Sequence, residues 1–178
     1  MSTSICDTDL PEYGVNACAT VIQADVDAMG LLKVGQTTVT DPAIAADWLT
    51  AIAAHDADIM KNIKVSMPEP SERTQANPRV QGPENILNGF NYVFNIEDPN
   101  VSDANTAFYA ALNGQFRHIA VRLYYESQSL KAFFPFYFIM KPVYGENNNV
   151  LMYKGTASAK FAPNDTIDLF NTPAGIFD

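Results

Sequence analysis

The most continuous hydrophobic pattern in the chain lies in residues 116–141 and predicts two strands joined by a short polar turn. In the first strand, Ile119 and Val121 alternate with polar residues, which is typical of a half-buried strand. The second strand, residues 132–140, is apolar on both faces: Phe134, Phe136, Phe138 and Met140 on one, Phe133, Tyr137 and Ile139 on the other. Because both faces of such a strand must be covered, we expect the protein's own core to cover one and a second layer to cover the other. That layer is either more of the core or a neighbouring subunit or ligand.

The rest of the pattern predicts further short strands and two helices. The strands fall at residues 18–27, 34–39, 59–67, 89–97, 150–162 and 166–170, with a turn marked by Gly30 and Gly35. The first helix, residues 42–54, begins at Asp41-Pro42 and docks on the sheet through Trp48. The second, residues 103–113, is capped by Ser102 and followed by Gly114. We therefore predict a mainly β (α+β) single domain over residues 1–178. Its architecture is a β-sandwich or split barrel of about seven strands with two short flanking helices and a long extended loop.

Two segments carry little hydrophobic pattern. Residues 1–14 resemble an extended N-terminal arm. Residues 68–88 contain four prolines and few apolar side chains, and a segment of this length without regular structure is uncommon inside a compact domain. We consider two alternatives for residues 68–88: a surface loop, or an arm or long hairpin that reaches a neighbouring subunit and orders on assembly.

The charge restricts the classes of partner. The chain has 20 acidic and 11 basic residues and a net charge of −9, which argues against a nucleic-acid-binding or anionic-membrane-binding protein. It is compatible with a surface past which DNA must slide. No secretion signal and no membrane-spanning run is evident, so we expect folding in a cytoplasm. There, Cys6 and Cys18 are expected to be two thiols, with a disulfide between them as the alternative.

No pattern of residues predicts catalysis, a cofactor or a metal. His55 lies beside Asp56 and Asp58 where the first helix ends, but one histidine and two carboxylates at a helix end are better explained as solvated charge. His118 lies on the polar face of a strand. Cys6, Cys18, His55 and His118 do not have the spacing of a zinc site. We predict no catalytic, cofactor-binding or metal-binding residues.

The order of these parts resembles a known group of proteins. An arm with Cys6 and Cys18 leads into a strand, and a helix with Asp47-Trp48 and Ala51-Ile52 follows. After a strand and the proline-rich segment come an aromatic strand, an Asp98-Pro99-Asn100 turn, and a helix with Phe108-Tyr109 and Leu112-Asn113. This layout resembles the tail-tube and neck-ring virion proteins of tailed phages of Bacteroidetes-type hosts, the crAss-like group included.

The resemblance implies a structural virion protein without catalytic residues. Its subunits would join their sheets into a closed homo-oligomeric ring around the DNA channel, contact neighbouring virion proteins, and let DNA pass without specific binding. We assign the predicted oligomer interface to the long loop and the doubly apolar strand: Pro70, Arg73, Pro78, Arg79, Phe133 and Tyr137. The alternatives are a soluble β-barrel that binds an apolar small molecule among its aromatic residues, and a hydrolase that uses His55 or His118.

Overall fold

A computed structural model describes residues 26–78, 83–123, 128–144 and 151–177. It contains two helices, α1 (Ala45–Ala53) and α2 (Asp103–Leu112). The strands are β1 (Val26–Lys33), β2 (Ala57–Ser66), β3 (Ser71–Ala76), β4 (Asn85–Asp98), β5 (Phe116–Leu123), β6 (Gln128–Val143), β7 (Met152–Phe161) and β8 (Asp168–Asn171). The predicted N-terminal arm, both cysteines and most of the predicted first strand lie outside the described residues.

Six antiparallel strands form a closed circuit. The order β2-β1-β5-β6-β7-β4 is closed because β2 also pairs with β4, through Lys64–Ser66 and 95–97. β3 and β8 lie off this circuit: β3 extends β4, and β8 pairs with the first residues of β6. The prediction of a mainly β fold with two short helices is confirmed, and a sheet closed by the β2–β4 pairing is consistent with the predicted β-sandwich or split barrel.

The inside of the barrel is filled by side chains. Phe94, Phe136, Phe138 and Phe161 are all fully buried and belong to one apolar cluster, which also receives Tyr109 from α2. The predicted cap of α2 is confirmed, because the Ser102 hydroxyl accepts a hydrogen bond from the backbone N–H of Asn105 at 3.1 Å.

A second apolar cluster covers part of the outer surface of the barrel. Trp48 of α1 is fully buried against the outward residues of β1 and β5, and the chain end near Phe177 packs beside it. The outward residues beneath the indole include Ala28, Gly30 and Ala120, whose small size lets α1 lie close to the sheet. The predicted docking of the first helix through Trp48 is confirmed.

Three local predictions are wrong. Gly30 lies inside β1 and not in a turn. A glycine is needed there because the Trp48 ring lies close to the backbone, and not because the chain reverses direction. Residues 34–39 form a turn and irregular backbone instead of a strand. The helix begins at Ala45, three residues after Pro42, because the Asp41 carboxylate accepts the Ala43 N–H at 2.9 Å and holds a turn there.

The proline-rich segment 68–88 contains the hairpin of β3 and the start of β4. All six residues of β3 are wholly or partly exposed, and β3 pairs only with β4 among the described residues. The pairing of β4 with β7 ends at Phe90, next to Gly89, whose φ is 125° and where an added Cβ would lie 2.0 Å from the Phe161 carbonyl oxygen. The two predicted alternatives were a surface loop and an arm or long hairpin, and the segment forms a hairpin.

Candidate functional site

Strand register places four outward-facing residues of four strands in one row. Val93 on β4 pairs with Ser158 on β7, Ser158 pairs with Tyr137 on β6, and Tyr137 pairs with Phe116 on β5. Directly paired residues of antiparallel strands project to the same face of a sheet. We call the outward face of β4, β5, β6 and β7 around this row, with the adjoining residues of β2, the outer wall.

The centre of the outer wall is apolar and exposed. The side chains of Phe116 and Ile139 are 51% and 52% exposed, and the Phe116 and Tyr137 rings are in contact, with their centroids 5.2 Å apart. A groove of about 630 Å³ runs over this centre and is lined by residues that include Asn91, Phe116, Pro135, Tyr137, Ser158 and Lys160. A second groove of about 600 Å³ shares Phe116 and Pro135 with it. Large side chains exposed next to one another are typical of contact surfaces.

Lysines border this apolar centre on two sides. On one side, Lys64, Glu97, Lys154 and Lys141 form a single cross-strand row through β2, β4, β7 and β6. The Lys154 ammonium lies 3.2 Å from the Glu97 carboxylate. On the other side, Lys160 lines the groove next to Asn91. These rows hold four lysines and one acidic residue, so the outer wall is basic although the chain as a whole is acidic.

The second apolar face of β6 is covered along only part of its length. Phe133 packs against the apolar cluster under α1, stacks on His118 with centroids 5.9 Å apart, and lies 4.9 Å from the Lys131 ammonium. Farther along the same face, Tyr137 and Ile139 reach the outer wall, where the Ile139 side chain is about half exposed. The predicted second layer is therefore the protein's own core at one end of the strand.

Those predicted interface residues that the structure describes lie on different elements. Tyr137 lies in the outer wall and Phe133 under α1, whereas Pro70 and Pro78 flank β3. Arg73 donates hydrogen bonds from Nη2 to the carbonyl oxygens of Phe161 at 2.9 Å and Asn88 at 3.2 Å, so it joins the hairpin to the end of β7.

Arg79 lies outside the described residues. Sequence reasoning missed Phe116, Ile139 and the lysine row, because cross-strand register brings them together. The second apolar face of β6 was the sequence signal that could have identified Ile139.

A third groove, of about 500 Å³, lies between β2 and α2 and is polar. Its centre is the buried Asp98, whose carboxylate accepts hydrogen bonds from the Tyr109 hydroxyl at 2.5 Å and from the Asn100 backbone and side chain at 2.8 and 2.7 Å. Burial and then this hydrogen bond to Asp98 raise the pKa of Tyr109 far above its usual range. Both carboxylate oxygens have donors within the protein, and this network joins α2 to the barrel.

The histidines are not part of a shared site. His55 is exposed just after α1, and burial lowers the pKa of the half-buried His118. Within the described residues, no three histidine, cysteine or acidic side chains lie close enough to hold a metal ion. No helix among these residues is long and apolar enough to cross a membrane.

Comparison of the sequence with models of protein families and with curated proteins found no match.

Proposed function

We propose that the protein is a structural, non-enzymatic virion protein that assembles with copies of itself into a ring of a phage tail or neck around the DNA channel. The observation that carries this proposal is the outer wall, where aromatic and aliphatic side chains on two neighbouring strands, β5 and β6, lie exposed at the centre of a sheet face. When a second molecule covers such an exposed apolar face, water is released from it and the free energy of the system falls.

The β3–β4 hairpin supports the same proposal. It extends past the end of β7, and within the described residues the outer edge of β3 has no paired strand. A free strand edge pairs readily with another chain, and closure into a ring is one way in which such edges become covered. The hairpin is thus suited to contact a neighbouring subunit or a neighbouring virion protein.

The net charge of −9 fits a ring through which DNA passes without specific binding. The described residues contribute little to this charge, because they include 13 of the 20 acidic and 10 of the 11 basic residues. An acidic lining of the channel would therefore come largely from segments outside the described ranges.

The alternative, a barrel that holds an apolar small molecule, is less well supported. Lipocalin-like binding needs space inside the barrel, whereas four phenylalanine side chains and their neighbours fill the interior here. The apolar groove on the outer wall is open to solvent and suits a macromolecular surface better.

The molar mass in solution tests the proposal. Light scattering over a range of protein concentrations should show a mass that is a multiple of 19.5 kDa, or that grows towards one. Exchanging the two exposed apolar residues of the wall, in a Phe116→Ser and Ile139→Ser double variant, should lower the mass at a given concentration. Leu49→Ser is the matched control, because Leu49 is 60% exposed on α1, away from the outer wall. A mass of 19.5 kDa at every concentration would contradict the proposal.

A further inference from the structure

The outer wall has a composition that defines its partner. Its apolar centre needs a partner with apolar side chains, and its two lysine borders need a partner with negative charge. The four lysines Lys64, Lys141, Lys154 and Lys160 face a single acidic residue, Glu97, on the same rows. A suitable occupant is therefore an acidic segment with interspersed apolar residues.

Residues 1–25 have this composition. They contain four acidic residues, Asp7, Asp9, Glu12 and Asp25, and no lysine, arginine or histidine. They also contain the apolar residues Ile5, Leu10, Val15, Val21 and Ile22 and the aromatic residue Tyr13. The segment ends directly before β1, which begins at Val26. Of the chain outside the described residues, it carries four of the seven acidic side chains.

We propose that residues 1–25 of one copy of the chain bind the outer wall of a neighbouring copy. This inference rests on the proposed self-assembly and names the surface and the segment that perform it. An extended segment of 25 residues spans up to about 80 Å. Val26, which directly follows the segment, pairs with Leu123 at the end of β5, and Phe116 of the outer wall is the first residue of β5. The length of β5, about 25 Å, therefore separates the end of the segment from Phe116. The segment is about three times as long as this distance, so its length does not confine it to the wall of its own barrel.

The charge balance favours this occupant over a nucleic acid. Exposed aromatic rings beside lysines can also bind a single-stranded nucleic acid, by stacking and by contacts to phosphate. The net charge of −9 would oppose that binding, and the acidic N-terminal segment, tethered to every copy, would compete for the same lysines.

Cross-linking in the full chain tests which segment binds the wall. A photo-reactive phenylalanine analogue in place of Ile139 should cross-link to peptides from residues 1–25. Light and heavy isotope-labelled protein, mixed before assembly, should yield cross-links that join one light and one heavy peptide. The same analogue in place of Leu49 is the control and should not capture this segment. Cross-links confined to one copy, or to another part of the chain, would overturn the inference.

Reversal of charge tests how the segment is recognised. Lys141→Glu with Lys160→Glu should weaken assembly at least tenfold, and so should Asp7→Lys with Asp9→Lys and Glu12→Lys. All five substitutions in one chain should restore assembly to within about threefold of the original, because the opposite charges face each other again. Lys61→Glu, a charge reversal outside the wall rows, is the control and should have little effect.

The outcomes separate this inference from the proposed function. If the protein assembles but the charge reversals leave its mass unchanged, the proposed function stands and the inference fails. If the protein stays monomeric throughout, both fail. If it binds a single-stranded oligonucleotide and loses that binding in the Lys141→Glu, Lys160→Glu variant, the wall is a nucleic-acid surface and the inference is wrong.

Discussion

The contact between Gly30 and Trp48 provides a sharp test of how α1 is held on the barrel. An added Cβ at Gly30 would lie 2.6 Å from Cη2 and 2.8 Å from Cζ3 of the Trp48 ring. Trp48 cannot easily move, because it is fully buried, packs edge-on against Phe177 at 5.4 Å, and donates from Nε1 to the Pro42 carbonyl at 2.9 Å. We therefore expect Gly30→Ala to force a displacement of the helix or the ring.

Two effects of opposite sign set the size of this change. Overpacking a filled core costs about 1–3 kcal/mol, whereas alanine in place of glycine within a strand gains about 0.5–1 kcal/mol. The net loss in the free energy of unfolding should be about 1–2 kcal/mol. Trp48→Phe removes the part of the ring that carries Cη2 and Cζ3. In that background, Gly30→Ala should be neutral or stabilising, which reverses the sign of its effect.

Urea denaturation followed by circular dichroism measures all four proteins of this cycle. Fluorescence is unsuitable, since Trp48 is the single tryptophan. With an m-value of about 2 kcal/mol/M, Gly30→Ala alone should lower the urea midpoint by about 0.5–1 M. All variants must be compared at one protein concentration, because assembly stabilises the folded state. An equal loss from Gly30→Ala in both backgrounds would refute the steric explanation.

Three further predictions concern polar contacts. Tyr109→Phe should cost about 1–3 kcal/mol, because the buried Asp98 loses a donor. Since the folded state raises the pKa of Tyr109, unfolding releases a proton above pH about 10. Stability should therefore fall as the pH rises beyond that value, and less steeply in Tyr109→Phe; equal slopes in pH-dependent denaturation would contradict this. Burial lowers the pKa of His118, so stability should fall as the pH drops below about 6.5, where the unfolded state gains a proton first. His118→Gln should flatten that dependence in acid titrations. Arg73→Ala should cost about 1–2 kcal/mol and increase hydrogen exchange in the β3–β4 hairpin, because the Asn88 and Phe161 carbonyls lose this donor; unchanged exchange would show that the hairpin is held by its backbone pairing alone.

Local sequence signals predicted the parts of the fold that depend on near neighbours. The alternation in β5, the two apolar faces of β6, the cap at Ser102 and the helical spacing that places Trp48 in the core all appear in the structure where they were expected. In each case the interaction that fixes the conformation joins residues a few positions apart. The structure of the proline-rich residues 68–88 was harder to predict from sequence. The β3 side chains are exposed and mostly polar, so they do not show the alternation of apolar and polar residues that is typical of a strand.

The candidate site was predictable only in part. The two apolar faces of β6 indicated that something must cover Tyr137 and Ile139, but the sequence did not distinguish the covered end at Phe133 from the exposed end. Arg73 was predicted to contact a neighbour, and the structure shows that it binds backbone carbonyls of its own chain. That choice depends on where β7 ends relative to the hairpin, which no local pattern encodes.

The sequence by itself determined the mainly β class, the two helices and the inward faces of the long strands, because these follow from periodicity and capping along a few consecutive residues. The tertiary structure alone decided that β2 returns to β4 and closes the barrel. It also decided that Gly30 lies under a tryptophan, and that lysines from β2, β6 and β7 form one row beside an apolar centre. These features depend on register between strands far apart in the chain, and register is set when the whole core packs.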